Sequence, residues 1–555
     1  MFPSKLLPCT LLAMSQCVQA QQLPSAGAQL QHIPPAPALR KPIPQIMPTP
    51  PPAAAVQDQP GERIMVRRLR IAGAGIFSEG QLLALAGFQA GSELSLGDLR
   101  RMAATIAAFY HRNGYFLAQA FLPQQDIQDG AVTIAVLEGR YGRVTLHNRS
   151  AVDDAVANRL LNGLSPGDTV DIAPLETRLL LLSDLPGVLA RSTLVPGASV
   201  GTSDLIVDLT PGRRLSGSID VDNAGNRYTG AYRAGATLNL NAPTGAGDSA
   251  TVRVLSSGAG LGYARLGYQT QVGRASAGIA YSALRYKLRR EFAALDARGS
   301  ATVASVYGSY PLIRSRNRNL AMQLAVDAKR FDDTVGATAS TARKTARVLV
   351  ASLSGEHGDT AGAGALNTYT LAWSSGRIDL QTPALRAFDA LSARTHGHYN
   401  KLSLNAARQQ NLSDTLSVHA AVNGQLASGN LDVSEKMELG GMYGVRAYPE
   451  GEAFADQGYV LNLEARMALP MLPAALPGRT QLIGFVDHGS VGTSKSAWSA
   501  GPNRRTLSAI GIGVSWTDSR TFIVKAHYAR KLGGAAALSS PDAAGRLWIQ
   551  AIRYL

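Results

Sequence analysis

From about Gly212 to Leu555 the apolar residues recur at every second position and helical spacing is absent. Tyr232, Ala234, Ala236, Leu238 and Leu240 alternate with Arg233, Gly235, Thr237 and Asn239. Ile510, Ile512, Val514 and Trp516 repeat the pattern against Gly511, Gly513, Ser515 and Thr517, as do Phe522, Val524, Ala526 and Tyr528. Period-2 alternation puts apolar side chains on one face of a strand and polar ones on the other. No segment supplies the roughly 20 consecutive apolar residues of a spanning helix, so any membrane insertion must be through β-structure, closed so that no edge is left unpaired. A soluble sandwich would alternate too, but residues 212–555 are too many for one sandwich. They suffice for about 16 strands of roughly ten residues with turns and loops. The expected fold is therefore mainly β: a transmembrane antiparallel barrel of about 16 strands over 212–555, apolar outside and polar within.

The chain's start sets its compartment. Lys5, the apolar run Leu6 to Met14 and the small residues of Val18-Gln19-Ala20 have the form of a signal peptide over 1–20. The only cysteines, Cys9 and Cys17, fall inside it, so the mature chain is expected to hold neither disulfide nor thiol chemistry. Residues 21–61 are dominated by proline, culminating in Pro48-Thr49-Pro50-Pro51-Pro52, and are expected to be an extended spacer. The net charge of +15 is scattered rather than run together, which favours surface and pore-lining charge over a nucleic-acid partner.

Between spacer and barrel lie two units of similar texture, 62–141 and 142–211. In the first, Ile64 to Ile71 alternates like a strand and Ser78 to Leu85 reads as a short helix. Ser95-Leu96-Gly97-Asp98 has capping-box form, opening a helix with Leu99, Met102, Ala103, Ile106, Phe109 and Tyr110 on one face. Phe116 to Leu122 and Ala131 to Leu137 read as strands. The second unit repeats the order, with strand Arg143 to His147, helix Ala151 to Leu161, a helix after Asp171, and strands Ala190 to Val195 and Asp204 to Leu209. Both read as small α+β domains.

The residues Gly114-Tyr115, Leu122-Pro123-Gln124-Gln125-Asp126, Gly130 and Glu138-Gly139 resemble the POTRA domain of two-partner secretion transporters, the outer-membrane proteins that export haemolysins and filamentous adhesins. Leu185-Pro186-Gly187-Val188 and Asp222-Asn223-Ala224-Gly225 extend the likeness. Val445-Arg446-Ala447-Tyr448 is similar to a lumenal-loop motif of the wider barrel-assembly superfamily, and Phe485, Asp487 and Gly489 to its barrel-wall motif. Ala447 stands where the family usually has glycine, and the chain ends in Tyr554-Leu555 rather than phenylalanine. The resemblance implies an outer-membrane translocator with N-terminal domains in the periplasm. It also implies an unfolded secreted partner, a large adhesin or haemolysin-like exoprotein, and contact with outer-membrane lipid by a monomeric barrel. It further places Arg446 at the tip of an inward-folded loop facing Asp487, where the two are expected to pair.

No catalytic constellation, cofactor or metal site is expected. His396-Gly397-His398 lacks an evident third ligand. Gly258, Gly260 and Gly262 mimic a phosphate loop, but no helix follows them. Asp487 and His488 are adjacent on a strand and face opposite ways. An insertase of the barrel-assembly type is the alternative function and a passive porin a weaker one, since a diffusion pore needs no polypeptide-docking units. No nucleotide-binding motif is present, so forward movement is expected to come from folding of the cargo outside the cell.

Overall fold

The computed structural model describes residues 24–37, 46–48, 62–360, 363–469, 477–518 and 520–555. The expected signal peptide lies outside them. Among the described residues, sixteen strands from Leu215–Asp222 to Gly545–Tyr554 form a closed antiparallel barrel. Neighbours in sequence are neighbours in space throughout, and the last strand closes on the first, with Ser218 opposite Tyr554 and Asp222 opposite Gln550. The alternation dictates which way each side chain points: Leu238, Val254, Ile279, Tyr281, Val306 and Ile512 are exposed on the outer face, whereas Arg233, Thr237, Arg253 and Ser282 are buried inside. An outward apolar band on a closed barrel is the surface a bilayer accepts.

Both units ahead of the barrel are α+β. The first packs helices Glu79–Ala86 and Leu96–Arg112 on strands Arg68–Ala72, Ala131–Leu137 and Gln119–Phe121, around Leu82, Leu99, Ile106, Tyr110, Val132 and Ile134. The expected capping box is present, with Ser95 Oγ accepting from Asp98 N at 3.1 Å and Asp98 Oδ2 from Ser95 N at 2.8 Å. The strand expected over Phe116 to Leu122 is only Gln119–Phe121, and a further short strand, Ser92–Ser95, pairs with Arg63–Val66. In the second unit strands Arg140–Asn148, Val188–Pro196 and Thr202–Pro211 carry helices Asp154–Leu161 and Ile172–Asp184.

The second unit is fastened to the barrel's mouth. Arg314, at a barrel turn, donates to both oxygens of Asp184 at 2.7 and 2.9 Å, and its carbonyl accepts from Thr177 Oγ1 at 3.0 Å. Arg316 pairs with Glu176 at 2.6 Å.

The spacer expectation for 21–61 needs correcting. Residues Ala26–Gln31 form a helix that packs inside the barrel, and Ile46–Pro48 add as a parallel strand beside Val188–Pro196. The helix opens where Ser25 accepts from Ala28 N, but at six residues it is far below the length that is stable alone in water. Its surroundings hold it. Ala26 packs with Leu284, Tyr286 and Phe331, its N–H donates to Asp333 Oδ1 at 2.8 Å, and Gln29 Oε1 accepts from Thr229 Oγ1 at 2.9 Å.

Candidate functional site

Residues 428–456, between strands Leu416–Ala427 and Gln457–Ala468, fold back into the lumen, and the loop-motif residues lie along them. Arg446 is buried and meets Asp487 three ways: Nη2 donates to Oδ1 at 2.7 Å, Nε to Oδ2 at 2.9 Å, and the backbone N–H to Oδ2 at 3.0 Å. Two parallel guanidinium bonds fix direction as well as position. The Phe485 ring lies 3.5 Å from the guanidinium carbon, a desolvated cation–π contact. Val445, Ala447 and Tyr448 pack with Leu439, Phe485 and Leu507 in one core cluster, and Tyr448 donates its hydroxyl to Ala535 O at 3.0 Å. Ala447 is not among the residues with positive φ, so alanine in place of glycine asks nothing unusual of the backbone. A Cβ at Gly489 would lie 2.4 Å from Leu439 Cδ1, so glycine at this position lets the Leu439 side chain of the loop lie close against the wall.

Several participants were not legible in the sequence. Glu464 accepts from Arg446 Nη1 at 2.8 Å, Asn462 donates to Asp487 Oδ1 at 2.8 Å and to Gly444 O at 3.0 Å, and Trp548 Nε1 donates to Arg446 O at 2.6 Å. All three sit on wall strands at inward-facing positions of the period-2 pattern. That register was the available signal, but many inward polar residues share it. The loop's base is held by wall cations: Lys329 and Lys401 pair with Glu435 at 2.7 and 3.0 Å, and Lys344 with Asp432 at 2.7 Å. His488 is on the opposite face from Asp487, in contact with Ser508 Oγ at 2.9 Å.

The POTRA-like residues divide by burial. Glu138 is an internal tie: its Oε1 accepts from Gly75 N, Ile76 N and Tyr110 Oη at 2.6, 2.7 and 3.0 Å. Burial, and then that carboxylate, raise the Tyr110 hydroxyl's pKa above its usual value, so the phenol stays a donor. Tyr115 packs edge-on against Phe77 and Tyr110. Gly114, Gly130 and Gly139 all have positive φ, and a Cβ at Gly139 would lie 2.7 Å from Leu117 Cβ. Leu122 and Pro123 are half-buried, whereas Gln124 and Asp126 are exposed. Gln125, in the middle of the same stretch, ties the segment to the sheet by exchanging hydrogen bonds of 2.7 and 2.8 Å with the Thr133 backbone.

Among the described residues, no group of three potential metal ligands includes His396 or His398. His396 Nδ1 instead accepts from Leu380 N at 3.2 Å.

A family described as "Haemolysin secretion/activation protein ShlB/FhaC/HecB" matches residues 201–516, and one described as "POTRA domain, ShlB-type" matches 64–139. The Heme/hemopexin transporter protein HuxB of Haemophilus influenzae (strain 86-028NP) is 29% identical over 454 residues, covering 80% of this chain and 79% of HuxB. Outer membrane transporter CdiB of Dickeya dadantii (strain 3937) is 24% identical over 416 residues, 71% of this chain and 70% of that protein. Among solved structures, CdiB from Escherichia coli superposes with a TM-score of 0.70 at 19% identity, covering 91% of this chain and 93% of that one.

Proposed function

Belonging to the haemolysin secretion/activation family ShlB/FhaC/HecB, the chain is an outer-membrane two-partner secretion transporter with its POTRA domains in the periplasm, and we propose that cargo leaves through the barrel by displacing the lumenal helix while the loop stays pinned. The observation that carries this reading is the pairing of Arg446 with Asp487 and Glu464. A guanidinium held by two carboxylates in a buried site is costly to release. The helix is held by single hydrogen bonds, each contributing about 0.5–1.5 kcal/mol net between neutral groups and about 1.5–3 kcal/mol where one partner is charged, as at Asp333 and Arg233.

An unfolded partner enters by adding along a sheet edge of the periplasmic units, where unpaired backbone groups receive it. The chain's own Ile46–Pro48 segment, added beside Val188–Pro196, is an internal example of that mode. Exposed Gln124 and Asp126 belong to the docking surface, whereas Glu138 and Gly139 shape it from within. The barrel is monomeric, and its outer apolar band meets outer-membrane lipid. The insertase alternative has less support, because the matching family is described as a haemolysin secretion/activation protein and the compared relatives are named as transporters.

A reversible lock tests the helix's role. A Cβ at Gly27 would stand 2.9 Å from Ser434 Cβ, so Gly27→Cys with Ser434→Cys can form a disulfide after a shift of about 1 Å. Oxidation should stop export and reductant should restore it. Undiminished export from the oxidised protein would contradict the reading.

A further inference from the structure

Where the lumenal helix ends, its C-cap His32 meets the folded-in loop. Its ring is 2% exposed, and Nε2 lies 3.2 Å from Glu438 Oε2. Nδ1 makes no hydrogen bond, and the contact Nε2 makes is the charge contact with Glu438. Glu450 completes the group, and one ligand atom from each of the three residues lies within 4.8 Å of the others.

The carboxylates are held as ligands are usually held. Glu438 Oε1 accepts from Gly451 N, which leaves Oε2 facing His32. Glu450 Oε1 accepts from Met442 N at 2.8 Å, which leaves its Oε2 for a further partner. Phe454 stacks on the imidazole with centroids 5.7 Å apart, fixing its plane and keeping water from one side. Such outer contacts orient metal ligands generally.

The charge count also asks for a cation. Two carboxylates converge on one buried imidazole, and the hydrogen bonds of Arg233 go to Asp222 and to the His32 backbone rather than to either carboxylate. The guanidinium donates to both oxygens of Asp222 at 2.8 and 3.2 Å and to His32 O at 2.7 Å. A divalent cation would offset both carboxylates, where a single imidazole offsets at most one.

We propose that His32, Glu438 and Glu450 form a divalent-cation site, suited to zinc, that clasps the lumenal helix to the inward-folded loop. One imidazole and two carboxylates are a zinc donor set, with a fourth position left for water. A tetrahedral zinc with bonds of about 2.0–2.2 Å separates adjacent ligand atoms by about 3.3–3.6 Å. The His32–Glu438 spacing already nearly matches this, and a small inward turn of the carboxylates closes the rest. The site exists only while the helix is seated, because one ligand is on the helix segment and two are on the loop. Metal binding therefore stabilises the plugged state by mass action. Sequence spacing gave no sign of it, since His32 is separated from its partners by most of the chain.

The test is zinc binding to the purified full-length protein after chelator treatment, read as zinc per chain after gel filtration and by the visible spectrum with cobalt(II). One tight zinc per chain and a tetrahedral cobalt spectrum are expected. His32→Ala and Glu450→Gln should each weaken binding at least tenfold, while His396→Ala with His398→Ala should not. His32→Ala alters no barrel strand, so heat-modifiable migration will show whether that variant is folded even if Glu450→Gln fails to assemble. In planar bilayers, zinc should prolong closed times of the wild type and leave His32→Ala unchanged. Absence of stoichiometric binding, or binding that survives His32→Ala, would overturn the site. No cargo is present in these measurements, so their failure leaves the export reading untouched.

Discussion

Two pieces of the chain share the barrel's interior, and they are held by different physics. The loop 428–456 is joined to the wall at both ends and nailed through charge, by Arg446 to Asp487 and Glu464 at its tip and by wall lysines to Asp432 and Glu435 at its base. The helix Ala26–Gln31 is six residues long. It gives its first N–H to Asp333, engages Thr229 through Gln29, and donates from Gln31 to Val433 O at 2.7 Å. Removing one partner of a buried ion pair costs about 3–5 kcal/mol because the other charge is stranded, whereas a single hydrogen bond is worth about 1 kcal/mol between neutral groups and about 1.5–3 kcal/mol where one partner is charged, as at Asp333. The difference separates a fixture from a removable part, and substitutions can test it from either side.

The largest effect is expected from breaking the fixture. Arg446→Ala strands Asp487, which is fully buried, and should lower export at least tenfold while the barrel still assembles. Arg446→Lys should do nearly as badly, since an ammonium cannot reproduce the two parallel bonds. Asp487→Ala should match Arg446→Ala, and the double mutant should be little worse than either, because residues acting through one contact are not additive. Multiplicative losses of secreted cargo would count against the pair.

An intermediate effect is expected from loosening the removable part. Gln29→Ala with Gln31→Ala deletes two helix-to-lumen hydrogen bonds and so should raise open time in planar bilayers several-fold, by about 1–2 kcal/mol. Export should stay within about twofold of wild type. A silent channel record would mean that the helix is held by something other than these contacts.

The smallest effect is expected at Ala447. Its buried methyl packs with the loop's core cluster, and Ala447→Gly removes about 0.8 kcal/mol of burial without relieving strain, since the backbone has none to relieve there. Export should change less than twofold. A clear gain would show that glycine matters at this position for a reason other than backbone angle.

The two regions also differ in how far the sequence revealed them. The barrel was legible because a closed wall must alternate along every strand, so the signal repeats across residues 212–555. The Arg446–Asp487 contact was legible only through resemblance; nothing local to either residue points at the other. Glu464 was missed because inward polar residues are common on the wall. Whether a helix lies in the proline-rich stretch could not be read from the sequence, for a stronger reason. Ala26-Gly27-Ala28-Gln29-Leu30-Gln31 has too few apolar residues and too little length to declare a helix, and the prolines that follow read as a spacer. The contacts that stabilise it come from Thr229, Asp333 and Val433, far away in sequence, so tertiary packing overrides local propensity.

Distance measurement between paired spin labels separates a loop that stays from a helix that leaves. With Cys9 and Cys17 the chain's only cysteines, labels can be placed cleanly at the exposed Pro35 beyond the helix and at the exposed Tyr443 in the loop. Each is paired with the exposed Leu391 outside the lumen. On adding a secretion-competent fragment of the exported partner, the Pro35–Leu391 distance should lengthen and broaden while the Tyr443–Leu391 distance holds. A helix distance that does not change, or a loop distance that shifts along with it, would mean that cargo does not leave by displacing the helix past a pinned loop.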